Sequence, residues 1–412
     1  MSAPAIDSSS LKRVVPAARV EDEDLPRLGF GLMRLPVIEG SGAVASSRAG
    51  TPQPAPEELA AIDIEQVEDM VDAYMAAGMN YFDTAYMYMN GRSEKVVGEV
   101  LVARYPRDAF FLATKLPRWS LKERADVERI FQEQLARTGA GYFDLYLLHN
   151  IDSPESYGLY SGFGCFEWAQ EKKAAGQIRH FGFSFHGGPE LLERILSEHP
   201  EVEFVQLQLN YLDWENPVIQ SRANWEVCRR RGIPNLVMEP VKGGKLADPV
   251  PAAAALLEEA APEASAASWA LRFISGKPGI MTTLSGMSTR AQMADNLATM
   301  GPGFRPLSPA EEGVLERVVE AFRTAPTVEC TACRYCVEGC PMGIPITDVI
   351  RALNAYRLDS RTDRAKGWYE RVTAAAGRAS ECVRCGQCEG NCPQHLPVIA
   401  LMREAAEAFE GV

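Results

Sequence analysis

The chain has 412 residues, 46% of them hydrophobic and 24% charged, with a formal net charge of -13. That length exceeds the size at which a single core stops growing, so more than one domain is expected, and the acidic balance argues against a nucleic-acid partner. No apolar run approaches the roughly 18 residues of a membrane span, and the first twenty residues do not read as a signal peptide, so a cytoplasmic protein with no membrane partner is expected.

Residues 1–26 read as a disordered or extended lead-in. From Leu28 onward, short apolar β-rich runs alternate with longer amphipathic stretches. Strands are expected at 28–33, 80–85, 110–116, 142–149, 179–185, 203–210, 235–240 and 280–287. Helices are expected near 64–77, 93–104, 121–138, 167–175, 189–198, 216–231, 262–275 and 290–300. Such strict alternation predicts an α/β chain folded as a (β/α)8 TIM barrel over 27–305, with a doubly wound open sheet as the runner-up. The open sheet is disfavoured because Gly29 and Gly31 lack the third glycine of a dinucleotide fingerprint. Residues 39–56, rich in Gly, Ala, Ser and Pro, read as a loop after the first strand, either a surface insertion or a lid. A linker helix is expected within 306–326.

Eight of the ten cysteines fall between 330 and 392. They form a repeat, Cys330-x2-Cys333-x2-Cys336-x3-Cys340-Pro341 and Cys382-x2-Cys385-x2-Cys388-x3-Cys392-Pro393. Three thiolates at intervals of three residues wrap three irons of a cubane, and the fourth ligand comes from elsewhere. In two-cluster ferredoxins the cysteine before proline serves the opposite cluster, which pairs Cys330, Cys333, Cys336 and Cys392 on one 4Fe-4S cluster. The other is then held by Cys382, Cys385, Cys388 and Cys340. Zinc is the rival, but structural zinc favours two separated C-x-x-C pairs and often histidine. Between the motifs the sequence has helical periodicity, so residues 327–412 are expected to form a mostly helical two-cluster domain. The region resembles the helical dicluster ferredoxin domains of fumarate reductase iron-sulfur subunits. Cys165 and Cys228 have no partner motif, and Cys228 reads as a core residue.

Asp83, Tyr88, Lys115 and His149 fall at or just beyond the C-terminal ends of the second, third and fourth strands. A barrel gathers those ends on its catalytic face. Each has an ordinary structural role open to it, so their joint placement carries the argument. The segments FDTAYMYMNGRSE (82–94), ATK (113–115) and LLH (147–149) look like the signatures of the aldo/keto reductase family. GFSF (182–185), EPVKGG (239–244) and SGMSTRAQMADNL (285–297) extend the likeness.

The resemblance implies a catalytic tetrad of Asp83, Tyr88, Lys115 and His149. It further implies hydride transfer between NADP(H) or NAD(H) and a small carbonyl or alcohol substrate. Tyr88 would be the proton donor, its phenol brought toward working range by the Lys115 ammonium. By the same resemblance Ser184 and Gln206 hold the carboxamide, Lys242, Gly243 and Ser288 the phosphates, and Arg290, Gln292 and Asn296 complete the cofactor site. Phe185, Met238 and Gln292 depart from the residues most members carry there. His186 is open to a substrate contact or a structural role, and Tyr157, Tyr160, Phe163 and Phe166 to forming a pocket wall or packing a loop.

A nicotinamide moves two electrons and a 4Fe-4S cluster one. Three readings follow. In the first the barrel is a nicotinamide-dependent reductase whose clusters serve structure or sensing. In the second the clusters conduct electrons to or from a ferredoxin or flavoprotein partner, with a flavin left open. In the third the barrel is a docking scaffold for an electron-transfer module.

Overall fold

Ten strands can be followed in the structure, a computed structural model that describes residues 16–20, 23–41, 60–358 and 362–412. They are β1 (Pro16–Val20), β2 (Glu23–Pro26), β3 (Leu28–Gly31), β4 (Tyr81–Asp83), β5 (Phe111–Pro117), β6 (Phe143–Ile151), β7 (Ile178–Phe185), β8 (Phe204–Gln208), β9 (Asn235–Met238) and β10 (Ile280–Ser285). The last eight pair in parallel and close into a barrel, with β10 returning to β3 through Thr283 opposite Leu28. Such strands are covered on both sides, which is why β6 reads FDLYLLHNI and is buried at all nine positions. Tyr74, on the helix Ile64–Ala76, donates alternative bonds to the carbonyls of Leu28 (2.6 Å) and Tyr81 (3.0 Å), pinning that helix over the β3–β4 seam.

Within the segment expected as a lead-in, residues 16–20 and 23–26 pair as the antiparallel strands β1 and β2. Leu25 packs among the barrel-interior side chains of Tyr81, Leu145, Leu236 and Met281, so the hairpin closes the end of the barrel opposite the strand C-termini. Most of the loop expected at 39–56, and with it the possible lid, lies outside the described residues.

Two helices escape the periodicity argument. Pro154–Gly162 starts at a Ser153 cap with proline in its first turn, and Pro251–Ala260 is mostly alanine. Neither carries the alternation of apolar and polar faces by which a helix is recognised in sequence. The expected linker helix is Pro309–Thr324, begun by a capping box between Ser308 and Glu311. Its Leu315, Val318 and Phe322 belong to the barrel core, and Glu311 pairs with Arg272 at 2.6 Å, so it is part of the barrel's outer layer.

Beyond it the regular structure among the described residues is helical, with longer helices at Ile346–Leu358, Thr362–Thr373 and Val398–Glu410 around a separate core of Val349, Leu353, Tyr369, Met402 and Phe409. Among the described residues no helix is long and apolar enough to cross a membrane.

At the closed end of the barrel, Glu203 ties β7 to β8. Burial opposes its charge, yet hydrogen bonds from His180, Lys173 and the Phe181 N–H hold its carboxyl down at about 2. A carboxyl depressed in the folded state contributes stability that is present above its unfolded pKa and is lost as pH falls through the folded one. Between about pH 5 and 2 the barrel should lose on the order of 3 kcal/mol through this group. Denaturant titrations across that window should show a shallower acid loss in Glu203→Gln.

Candidate active site

The barrel register sets the pocket. Asp83 ends β4, paired across from Ala113, while Lys115 on β5 faces Leu147 and His149 on β6 faces Pro117. The Lys115 ammonium lies 2.6 Å from Asp83 Oδ1, donates to the Thr84 carbonyl at 2.7 Å and reaches the Tyr88 hydroxyl at 3.3 Å. Tyr88 arrives from the loop after β4, where Met89 and Asn90 both take left-handed conformations. Its ring meets His149 edge-on at 6.0 Å. All four expected tetrad residues therefore line one cleft of about 860 Å3, open solvent included.

Burial raises the Asp83 carboxyl and lowers the Lys115 ammonium, and each partner opposes the other's shift. Tyr88 is pushed up by burial first and then by the Asp83 and Glu239 carboxylates. This differs from the expectation that Lys115 brings the phenol down. The ammonium is closer to Asp83 than to the phenol, and burial favours the neutral form of Tyr88.

The other wall of the cleft comes from the C-terminal region. Thr331, Cys333, Tyr335, Pro393 and Gln394 line the same cleft as the tetrad. Arg34 donates to the Thr331 carbonyl at 3.2 Å, Lys242 to Gln394 at 2.8 Å, and Gln394 to Gln208 at 3.3 Å. A Cβ on Gly243 would stand 1.9 Å from the Thr331 oxygen, and Gly243 has φ of 66°. Only glycine allows this approach.

Cys330, Cys333, Cys336 and Cys392 surround one cavity beside Ile350, and Cys340, Cys382, Cys385 and Cys388 surround another beside Ile346 and Met402. These are the two groups expected from the crossed pairing. Among the described residues no three His, Cys, Asp or Glu side chains converge on a single-ion site. Burial pushes the Cys330 thiol up to about 11 and Cys333 to about 12. What fits a metal cluster is the donor set, four thiols around each cavity, as a 4Fe-4S cluster requires. The Ala332 N–H also points at Cys330 Sγ, 3.4 Å away, a contact of the kind that tunes cluster potentials.

The expected dinucleotide contacts divide. Ser184 and Gln206 lie in the cleft, Gln206 with a buried, unpartnered Oε1. Lys242, expected at the phosphates, is fully buried at 2.5 Å from Asp213, and Gly243 is the seat of Thr331. Both residues expected at the phosphates are thus already engaged, Lys242 with Asp213 and Gly243 against Thr331. The Ser288 N–H donates to Gln292 Oε1 at 2.7 Å, Arg290 pairs with Asp69, and Asn296 donates to Ser285 at 2.7 Å.

A sequence model of the aldo/keto reductase family matches residues 49–311, and one of the 4Fe-4S dicluster domain matches 329–396. The chain belongs to the aldo/keto reductase family. Among its relatives, an aldo-keto reductase of Mycolicibacterium smegmatis is 31% identical over 190 residues, covering 45% of this chain and 63% of that one, which is less than two thirds of its length. The uncharacterized oxidoreductase YqkF of Bacillus subtilis is 25% identical over 260 residues, covering 55% and 80%. A thermostable aldo-keto reductase solved with the inhibitor epalrestat aligns with TM-score 0.55 at 22% identity, covering 72% of this chain and 97% of that one. An aldo/keto reductase of Klebsiella pneumoniae, solved with NADP and acetate, aligns with TM-score 0.52 at 20% identity, covering 73% and 93%. These structural likenesses bear on the fold.

Three residues at or beneath the cleft went unnoticed in the sequence. Glu94, inside the FDTAYMYMNGRSE segment, is wholly buried under the tetrad, bonded by Thr114 (2.7 Å), Gln134 (2.8 Å) and Arg137 (3.1 Å). Arg34 and Glu239 face each other across the cleft mouth, beyond strand ends that gave no signal of their roles. The four aromatic residues after β6 are packing instead of a wall. Tyr160 donates to the carbonyls of Leu116 and His149, while Tyr157, Phe163 and Phe166 pack in the core. His186 does line the cleft, its imidazole pushed down to about 4 by burial. Cys165 and Cys228 are both core residues.

Gly243→Ala should undock the cluster-bearing domain, because the new methyl meets the Thr331 backbone. Hydrogen exchange should then rise several-fold across 330–336 and in the loop around 242–244, with the barrel strands unaffected.

Proposed function

We propose that the chain interconverts a small carbonyl compound and its alcohol in the cleft, with Tyr88 handing the proton to the oxygen and His149 orienting that oxygen. The observation that carries this reading is the buried contact of Lys115 with both Asp83 and Tyr88, beside the His149 ring. Asp83 holds the ammonium, the ammonium restrains the phenol, and burial keeps the phenol protonated until a substrate oxygen takes the proton. His149 adds a hydrogen-bond donor where negative charge builds up.

NADP(H) or NAD(H) is the electron source that family membership suggests, and the Klebsiella relative was solved with NADP. A nicotinamide supplies hydride when bound. Ser184 and the free Gln206 oxygen suit its carboxamide. Lys242 and Gly243 do not suit its phosphates while the cluster-bearing domain is docked, since Asp213 and Thr331 already occupy them.

The second reading has its own support, since Cys333 lines the tetrad cleft itself. Here Cys330, Cys333, Cys336 and Cys392 hold one cluster, Cys382, Cys385, Cys388 and Cys340 the other, and a ferredoxin or flavoprotein exchanges electrons with the pair.

One experiment separates the readings. Anaerobically purified, cluster-loaded protein is mixed with NADPH and a carbonyl panel while cluster absorbance is followed by stopped flow. Turnover with unchanged clusters supports nicotinamide acting alone, and bleaching at the turnover rate supports the conduit. Tyr88→Phe should lower turnover roughly 10²- to 10⁴-fold with either source. Undiminished turnover in that variant ends the tetrad mechanism. Because burial lowers the Lys115 pKa, the ammonium is lost at lower pH than in an exposed lysine. Reduction should accordingly fall on an alkaline limb below the usual lysine range near about 10.4, read from kcat/KM against pH.

A further inference from the structure

The loop that carries the first three cysteines does two things at once. Its sulfurs turn inward to a cavity shared with Cys392, and its outer side faces the tetrad. Tyr335 lies between Cys333 and Cys336 in the chain and is buried at the cleft, its ring 6.3 Å from Trp119. Trp119 in turn meets His149 edge-on at 5.4 Å. One continuous aromatic surface thus runs from the proposed oxygen-binding histidine to the cysteine loop.

The loop has an unusual backbone. Ala332 and Arg334 both take left-handed conformations, with φ of 52° and 68°, on either side of Cys333. The second motif repeats the pattern at Arg384 (56°) and Gly386 (80°). Side-chain-bearing residues rarely take such angles without something to hold them there. Ligation to a common cluster supplies that hold, since metal binding and the fold of a small metal-binding segment are one equilibrium.

We propose that the Cys330–Cys336 loop is a substrate-contacting wall of the tetrad cleft, in which Tyr335 determines which carbonyl compounds fit and the cluster on the loop senses the charge of the barrel mouth. The substrate half rests on the carbonyl reading above, while the electrostatic half does not. Arg34 is the barrel residue that tests the latter. Its guanidinium reaches the Thr331 carbonyl between two cysteines, and a cation at that position favours the reduced, more negative cluster. Coupling between the barrel mouth and the cluster is reciprocal, so a ligand that adds charge to the cleft shifts the same potential.

Two measurements on full-length, cluster-loaded protein decide the matter. In redox titrations followed by electron paramagnetic resonance, Arg34→Gln should move one of the two cluster potentials to lower values and leave the other in place. Two unmoved potentials would overturn the electrostatic half. In steady-state assays with methylglyoxal, glyceraldehyde, 4-nitrobenzaldehyde and cyclohexanone, with NADPH or a reduced viologen as donor, Tyr335→Ala should raise KM at least fivefold for the best substrate and reorder the panel. Tyr356→Ala, an aromatic truncation against Phe409 on the far core of the same domain, should do neither. Unchanged KM and order in a Tyr335→Ala protein with full iron content would overturn the specificity role. Absence of wild-type turnover with every compound and both donors would end the carbonyl reading and, with it, the role of Tyr335, leaving the potentials to decide the electrostatic half.

Discussion

A fully buried lysine ammonium is the constraint around which the barrel mouth is arranged. Lys115 keeps its charge because Asp83 stands 2.6 Å away and the Thr84 carbonyl completes its shell. Removing one partner from such a buried pair typically costs about 3–5 kcal/mol, because the other charge is left uncompensated. The pair therefore depends on strand ends that do not drift. Parallel pairing of β4 with β5 and β5 with β6 supplies that rigidity, and the buried Glu94, bonded to Thr114 and Gln134, braces the strands from behind. The chemistry proposed at Tyr88 depends on that frame, since a lysine free to leave Asp83 would no longer restrain the phenol.

The same logic of satisfied charge explains how two domains meet at one cleft. Lys242 lies against Asp213, itself held by Gln208 and Asn210, and offers its remaining bonding capacity to Gln394 across the junction. Glycine at 243 lets the Thr331 backbone settle where a methyl group would stand. A loop that resembles an anion-binding segment in sequence is here complete without an outside anion, its cation neutralised from the barrel and its surface covered from the cysteine region. The consequence is a cleft whose floor is made of strand ends and whose roof is made of a cysteine loop.

Legibility in the sequence followed the range of the interactions. The eight barrel strands were recognisable because burial on both faces forces continuous apolar runs, and the tetrad because barrel geometry gathers strand ends. The cysteine spacing foretold which four thiols share each cavity. What escaped depends on contacts between distant segments. Nothing local marks Thr331 as the partner of Gly243, so the phosphate expectation at Lys242 and Gly243 met a loop already covered. Tyr160 and Phe166 look like pocket aromatics until β6 is seen to draw them inward. The hairpin over 16–26 was hidden for a similar reason, since Leu25 gains its meaning only from the barrel interior it plugs. Arg34 lies outside any motif and Glu239 only opens the EPVKGG segment, and closure of the barrel is what brings both to one cleft.

The two cysteine motifs are alike in sequence and unlike in surroundings. Around the cavity of Cys330, Cys333, Cys336 and Cys392, the barrel and the domain's own core leave Cys336 and Cys392 buried. Around the second, Cys385 is exposed and Val383 beside it is 58% accessible. A macromolecule approaching from solution thus meets an apolar side chain and a sulfur at the outer motif, while the inner one is shielded by the very cleft it helps to enclose. The domain is polarised from outside to inside, with an exposed cysteine at one end and the tetrad cleft at the other.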